Sequence, residues 1–330
     1  MQYRKFGNTD LKVSEIGFGA WAIGGNAKVG NTPIGWGKAD DATSRQALQA
    51  AVDVGINFFD TADFYGLGHS EILIGEAMKN YHDVVIATKV GHRNSNESIV
   101  LDYSKAYIIE ACEQSLRRLQ RDAIDYYQLH SARISHLQQG ECIEAMEQLK
   151  QQGKIRYWGL SLNTFHPQPE ADFLLQHNYG DGFQLVFNVI NQRAMETIKQ
   201  AGEKGYGLIA RMPLQFGLLT GKFSTNTTFS EDDHRHFRLT PAILQQTLQV
   251  LEEKVWPLAE KEQMTPTALA LSFILNHSAI STVIPGIRTP EHVALNTSGL
   301  KQLSAETMQQ LTALKEKEWL PVLELMEKAG

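Results

Sequence analysis

Residues 56–89 read INFFDTADFYGLGHSEILIGEAMKNYHDVVIATK. The aromatic-rich run at 56–59 predicts a short strand, and the β-branched run at 84–88 predicts another. Between them Ile72, Leu73 and Ala77 recur at helical spacing, and Ser70 is placed to cap that helix at its N-terminus. Strand, helix, strand is a βαβ unit, which joins parallel neighbours. Both strands run into a polar residue: Asp60 follows the first and Lys89 the second.

The same rhythm extends in both directions. Upstream, residues 15–18 read as a short strand, and Ala47, Leu48, Ala51 and Val52 mark one helix face that Gly55 terminates. Downstream, Ile108, Cys112, Leu116 and Leu119 precede a strand at 126–129. Ile143, Met146 and Leu149 lead to a second helix-ending glycine, Gly153. Further strands are predicted at 155–160, 183–187, 206–211 and 281–284, with helices near 169–177, 193–203, 266–276 and 291–298. Eight βα units without a low-complexity linker predict the α/β class and one domain, 1–330: a closed (β/α)8 TIM barrel rather than two doubly wound halves. Residues 2–13 read as an N-terminal β-hairpin outside the barrel, and 240–262 and 304–318 as two additional helices. In a barrel the strand ends Asp60, Lys89, His130, Ser161 and Arg211, with Gln184 on the sixth strand, share the rim where active sites form.

Composition removes whole classes of function. The 330 residues carry a net charge of −6 and show no basic stripe, so no nucleic-acid partner is expected. No apolar run approaches the ~18 residues of a membrane span. The start, Met1-Gln-Tyr-Arg-Lys-Phe-Gly, lacks the apolar core of a secretory signal. Cys112 and Cys142 have no metal-ligand spacing and no CxxC, so they read as buried free thiols, and a cytoplasmic protein without a metal is expected.

Two motifs are decoys. Gly17-Phe-Gly19-Ala-Trp-Ala22 fits a dinucleotide fingerprint, with Asp40 about twenty residues on, but that fingerprint needs a helix opening at the glycines. The residues that follow, up to Pro33, cannot hold one. Gly217-Leu-Leu-Thr-Gly221-Lys222 is one residue short of a P-loop, and Phe223 stands where a magnesium-binding hydroxyl is required. Its backbone N–H groups and Lys222 still suit a phosphate.

The chemistry-bearing group is Asp60, Tyr65, Lys89 and His130. A phenol, with a pKa near ~10, is a poor acid at neutral pH. A neighbouring ammonium is expected to lower that value and ease proton donation, while a carboxylate keeps the ammonium charged and aimed. A histidine beside the phenol orients a carbonyl or relays a proton. Such a set suits protonation of an alkoxide as hydride arrives at the carbonyl carbon.

These residues sit in blocks that resemble the aldo-keto reductases over nearly the whole chain. The blocks are Ile16-Gly-Phe-Gly-Ala-Trp21, Phe59-Asp60-Thr-Ala-Asp-Phe-Tyr65-Gly66, Thr88-Lys89, Tyr127-Gln-Leu-His130 and Gly159-Leu-Ser161-Leu-Asn163. Pro213-Leu-Gln-Phe-Gly-Leu-Leu-Thr-Gly-Lys222 and Ile284-Pro-Gly286-Ile-Arg288-Thr-Pro-Glu291 complete them. The Pro213–Lys222 segment is most similar to the bacterial and potassium-channel β-subunit branch. The resemblance implies a TIM barrel that reduces small-molecule aldehydes or ketones with NADPH. Tyr65 would be the general acid, Lys89 and Asp60 its tuners, and His130 the orienter of the carbonyl. It implies nicotinamide contacts from Ser161, Asn163 and Gln184, with Ala20 and Trp21 nearby. Pro213, Leu214, Gly217, Leu219, Gly221 and Lys222 would hold the pyrophosphate. Gly286, Arg288, Thr289, His292 and Asn296 would hold the adenosine-phosphate end.

The chain departs from the family in places. Leu162 separates Ser161 from Asn163, and His292 and Leu295 replace a glutamine and an acidic residue common in the last motif. Arg211 stands where the family stacks an aromatic ring on the nicotinamide. Stacking of its guanidinium suits the position best, with pairing to Asp60 or to an anionic substrate group as the other two roles. Trp21, Trp36 and Phe64 are candidate substrate-pocket walls. The polar stretch 224–237 either folds over the cofactor or is exposed surface. Two functions compete: an NADPH-dependent carbonyl reductase, or an NADPH-binding regulatory or redox-sensing subunit of slow turnover, whose protein partner the sequence does not identify.

Overall fold

Strand alternation builds the frame. In the computed structural model, which describes residues 1–35, 39–231 and 233–329, the eight predicted runs are parallel strands. They are β1 (Phe18–Gly19), β2 (Phe58–Asp60), β3 (Val85–Val90), β4 (Ile124–His130), β5 (Ile155–Ser161), β6 (Gly182–Val186), β7 (Gly207–Arg211) and β8 (Thr282–Ile284). They pair in chain order from β1 to β8. Isolated parallel bridges from Ile16 to Val283 and from Gly19 to Gly286 bring the two edges together. Eight helices follow them: α1 (Asp41–Asp53), α2 (His69–Met78), α3 (Lys105–Leu119), α4 (Glu141–Gln151), α5 (Gln168–His177), α6 (Met195–Glu203), α7 (Pro266–Leu275) and α8 (Pro290–Thr297). Among the described residues no helix is long and apolar enough to cross a membrane.

Each strand sends alternate side chains to opposite faces. Phe58, Val85, Ala87, Tyr126, Ile209 and Ile284 pack together inside the barrel. Their neighbours Phe59, Ile86, Tyr127 and Leu129 point outward into a second core shared with the helices, which also buries Cys112 and Cys142 as free thiols. Inside, the period of two carries Phe58 to Asp60, Ala87 to Lys89, and Tyr126 through Gln128 to His130. One end of the barrel is therefore oily and the other polar.

The N-terminal hairpin, Tyr3–Lys5 against Lys12–Ser14, closes the oily end. Its Phe6 is fully buried, 4.8 Å from the Tyr126 ring. Burial of such a ring stabilises by about 1.5–3 kcal/mol. Glycines make room around it. A Cβ on Gly159 would lie 2.0 Å from Tyr126 Oη and 2.1 Å from the Gly182 carbonyl oxygen. The carbonyl belongs to the neighbouring strand and cannot swing away. Gly159→Ala is therefore expected to cost about 1–3 kcal/mol, read as a lower urea midpoint; an unshifted midpoint would show that the barrel end yields.

Three elements differ from the sequence expectation. Ser70 is not a cap: α2 begins at His69 behind Gly68 in the left-handed region (φ 96°). Ser70 is buried and donates to the Ala20 carbonyl at 3.1 Å while accepting from Thr61 Oγ1 at 2.8 Å, so it ties the ends of β1 and β2 together. The helix expected at 240–262 has three parts, Pro241–Val250, a π turn at Leu251–Val255, and Trp256–Lys261. The one expected at 304–318 runs further, as Ala305–Leu314, a π turn at Lys315–Trp319, and Leu320–Ala329. Both π turns come just before a proline, Pro257 and Pro321, whose missing N–H and ring would break an unbroken α-helix. The spacing ends the expected helix at 318, before Pro321, whereas the helix runs on to Ala329.

Candidate active site

The parallel register decides which side chains meet. Asp60 lies opposite Gly19 and Ala87, Lys89 opposite Gln128, His130 opposite Ser161, and Ser161 opposite Gln184. Lys89 is fully buried under the rim, and its three N–H groups are all used. Nζ donates to Asp60 Oδ2 at 2.7 Å, to the Thr61 carbonyl at 2.8 Å and to Tyr65 Oη at 3.1 Å. Asp60 Oδ1 accepts from Gln184 Nε2 at 2.7 Å and from Gln128 Nε2 at 3.2 Å. The carboxylate is thus compensated on both oxygens, as a buried charge requires. Gln184, expected to meet a carboxamide, is turned toward Asp60. Gln128 went unnoticed in the sequence, although its position two residues before His130 puts it on the same inward face.

Burial draws the Lys89 ammonium down, but Asp60 and Tyr65 outweigh it and hold the group above its ordinary value. For Tyr65 the outcome is opposite to the sequence expectation. Burial raises the phenol above its ordinary value, and the downward pull of Lys89 does not overcome it. Tyr65 is accordingly a protonated donor at neutral pH. His130 is held well below its ordinary value by burial, then by His92, Lys89 and Arg211, so it is neutral. Its ring lies edge-on to Tyr65 at 5.9 Å and is stacked on His92 at 4.3 Å. His92 itself falls to about 4 through burial and Arg133.

Above this group lies a cavity of about 660 Å³. Asp60, Tyr65, His130, Ser161, Gln184 and Arg211 line its deep part, with Ala20, Trp21 and Phe64 along one side. Trp21 stands edge-on to Tyr65 at 4.8 Å and faces His234 at 6.1 Å. Trp36 lies outside the described residues. Only the end of the 224–237 stretch forms a wall: His234, Arg235 and Phe237 line the cavity, and the next residue, Arg238, donates to His234 Nε2 at 3.1 Å. His92 and His234 are pocket residues that the sequence reading does not find, because His92 opens a hairpin outside the eight barrel strands and His234 lies in a turn.

Pro213, Leu214, Gly217 and Lys222 line another part, and Gly286, Arg288, His292 and Asn296 the far end. The first of these segments is strained: Met212, Gln215 and Phe216 have φ of 51°, 43° and 57°. Such conformations cost about 1–3 kcal/mol each and persist where surrounding contacts impose them. Asn188 Nδ2 holds the Met212 carbonyl at 2.9 Å and Gln215 Oε1 at 2.8 Å. Gln215 in turn meets Met326 Sδ at 3.3 Å, so the unforeseen end of the last helix supports this loop.

Some expected cofactor contacts do not line the cavity. Asn163 Oδ1 accepts from the N–H groups of Phe165 and His166, both at 2.9 Å, and shapes its own turn. Leu219 is buried core. Gly221, in the left-handed region at φ 72°, ends the strained segment. Thr289 is the N-cap of α8, accepting from the His292 N–H. The His292 imidazole accepts from the Arg288 N–H at 3.3 Å and is lowered by burial, then by Arg288 and Lys222. Lys222, Arg288 and His292 therefore share one end of the cavity. Arg211 does not pair with Asp60, whose oxygens are taken.

A model of the Aldo/keto reductase family matches residues 15–316. The chain is similar to the uncharacterized oxidoreductase YqkF of Bacillus subtilis (strain 168), at 31% identity over 94% of this chain and 95% of that one. It is also similar to a putative voltage-gated potassium channel subunit beta of Schizosaccharomyces pombe, at 30% identity over 95% of this chain and 92% of that one. Among solved structures it resembles the holo form of aldo-keto reductase AKR11C1 from Bacillus halodurans. The TM-score is 0.78 and the identity 29%, over 97% of this chain and 99% of that one.

Proposed function

Because the chain belongs to the aldo/keto reductase family of oxidoreductases, we propose that it reduces aldehydes or ketones of small molecules to alcohols with NADPH, Tyr65 acting as the general acid. One observation carries this reading. Lys89 donates to Tyr65 Oη at 3.1 Å, which leaves the phenol's own proton for an acceptor in the cavity.

The cavity fits the cofactor by the chemistry of its donors. Ser161 and Gln184 offer the hydroxyl and amide that a carboxamide needs. Lys222, Arg288, His292 and the N-terminal end of α8 offer the charge and N–H groups that a phosphate needs. Bound NADPH would supply the hydride that reaches the carbonyl carbon. Tyr65 then gives its proton to the carbonyl oxygen as that oxygen becomes an alkoxide. The Tyr65 O–H bond breaks, the alcohol O–H forms, and the phenolate left behind keeps the Lys89 hydrogen bond until solvent reprotonates it. Asp60 keeps Lys89 charged throughout. Neutral His130 orients the carbonyl without contributing a charge.

The test is oxidation of NADPH with a panel of aldehydes and ketones, beside a cofactor titration. Turnover supports the reductase; tight binding without turnover supports the regulatory subunit instead. Cofactor choice has its own test. Arg288→Ala is expected to weaken NADPH by about 1.5–3 kcal/mol, the range for hydrogen bonds to charged groups, and to leave NADH nearly as it was. Equal losses for both would assign Arg288 to the adenine or to the fold.

A further inference from the structure

Arg211 is a half-buried guanidinium with no counter-charge in contact. It ends β7, lines the cavity with Tyr65 and His130, and meets only neutral acceptors. Nη2 donates to the Leu162 carbonyl and to Thr164 Oγ1, both at 3.1 Å, and Nη1 meets Met212 Sδ at 3.3 Å. Nε is buried with no acceptor. Among the described residues no carboxylate oxygen lies within 4.0 Å of it. The one carboxylate lining this part of the cavity, Asp60, is committed to Lys89, Gln128 and Gln184. A charge drawn partly out of water is ordinarily paired, so a half-buried cation with a buried, unmet Nε–H beside the reacting group is a site for an anion.

The anion that belongs there is the substrate's. The cofactor's phosphates have the strained 212–221 segment and the Lys222–Arg288–His292 end, whereas Arg211 shares the lining of the cavity with Tyr65 and His130. Leu162, the residue inserted between Ser161 and Asn163, supplies the carbonyl that, with the Thr164 hydroxyl, aims the guanidinium. With both Nη2 N–H groups already donated, the unused Nε–H is the donor left for one carboxylate oxygen.

We propose that Arg211 anchors a carboxylate on the substrate, so that the carbonyl compounds this protein reduces are carboxylate-bearing aldehydes or ketones; this rests on the reductase reading above. The experiment is calorimetric titration of the full chain saturated with NADP+, using 4-methylbenzoate and its neutral isostere 4-methylbenzamide. The acid should bind at least ~10-fold more tightly than the amide, and Arg211→Gln should reduce that preference to within ~2-fold. Arg211→Lys, which keeps a point charge without the fork, should retain an intermediate preference. Equal binding of the two compounds overturns the proposal, as does a preference undiminished in Arg211→Gln or, should that variant not fold, in Arg211→Lys. Turnover of 4-formylbenzoate and 4-formylbenzamide separates the two claims. An Arg211-dependent binding preference with neither aldehyde reduced keeps the anion site and sinks the reductase. Reduction of both without a binding preference does the reverse.

Discussion

Carbonyl reduction by the Tyr65→Phe variant is expected to fall by at least ~10²-fold, the scale of general acid catalysis, while NADPH still binds. The substitution removes one oxygen. That oxygen accepts from Lys89 at 3.1 Å and carries the only proton placed to leave into the cavity from a group tied to the ammonium. The ring stays, so its edge-on contacts with Trp21 at 4.8 Å and His130 at 5.9 Å are kept and the cavity wall should hold its shape. The measurements are single-turnover reduction, which isolates the chemical step, and a cofactor titration. If the variant keeps more than about half of the wild-type rate, the proton comes from elsewhere, and the assignment of Tyr65 is wrong.

Lys89→Met should act on stability and chemistry together. The ammonium is fully buried and, among the described residues, is the only cation on Asp60 Oδ2, at 2.7 Å; Asp60 itself is 2% exposed. Removing one partner leaves a buried carboxylate with only two amide hydrogen bonds, on its other oxygen. Breaking a buried pair in this way costs about 3–5 kcal/mol. Tyr65 also loses the one neighbour that most lowers its pKa, so burial raises the phenol further and proton donation becomes harder. The double variant Asp60→Asn/Lys89→Met separates the effects. With no charge left to compensate, it should recover most of the lost stability but none of the lost activity. Urea unfolding and carbonyl reduction on the same samples decide this. Recovery of both would mean that the pair only plugs the barrel, and a stable single variant would mean that water reaches Asp60.

Much of the site was legible because β-structure has a period of two and parallel strands align. Asp60, Lys89 and His130 each end an apolar run, and runs that alternate with helices must place their ends on one rim. Tyr65 followed from Asp60 on the same loop. The balance of forces on Tyr65 was not legible: the sequence shows that an ammonium is near a phenol, but not that burial exceeds its pull. That Gln184 also donates its amide N–H to Asp60 is not legible, because a hydrogen-bond partner is a matter of angle and distance that no spacing encodes. The turn that Asn163 Oδ1 shapes by accepting from the Phe165 and His166 N–H groups is illegible for the same reason.

The sequence by itself determined the barrel, its strand order and the four polar residues on its rim. Those properties depend on periodicity and on residue type, which are local and repeat along the chain. Tertiary structure alone decided what closes over that rim. His234 faces Trp21 across more than two hundred residues of chain, and His92 stacks on His130 from a hairpin at His92–Leu101. The 212–221 segment is held in left-handed conformations by Asn188 and by a helix that runs through Pro321. The lack of a counter-charge on Arg211 is also a property of the assembled fold. A charge is unpaired only relative to everything packed around it, and that surrounding is brought together from loops whose positions are set by packing rather than by sequence spacing.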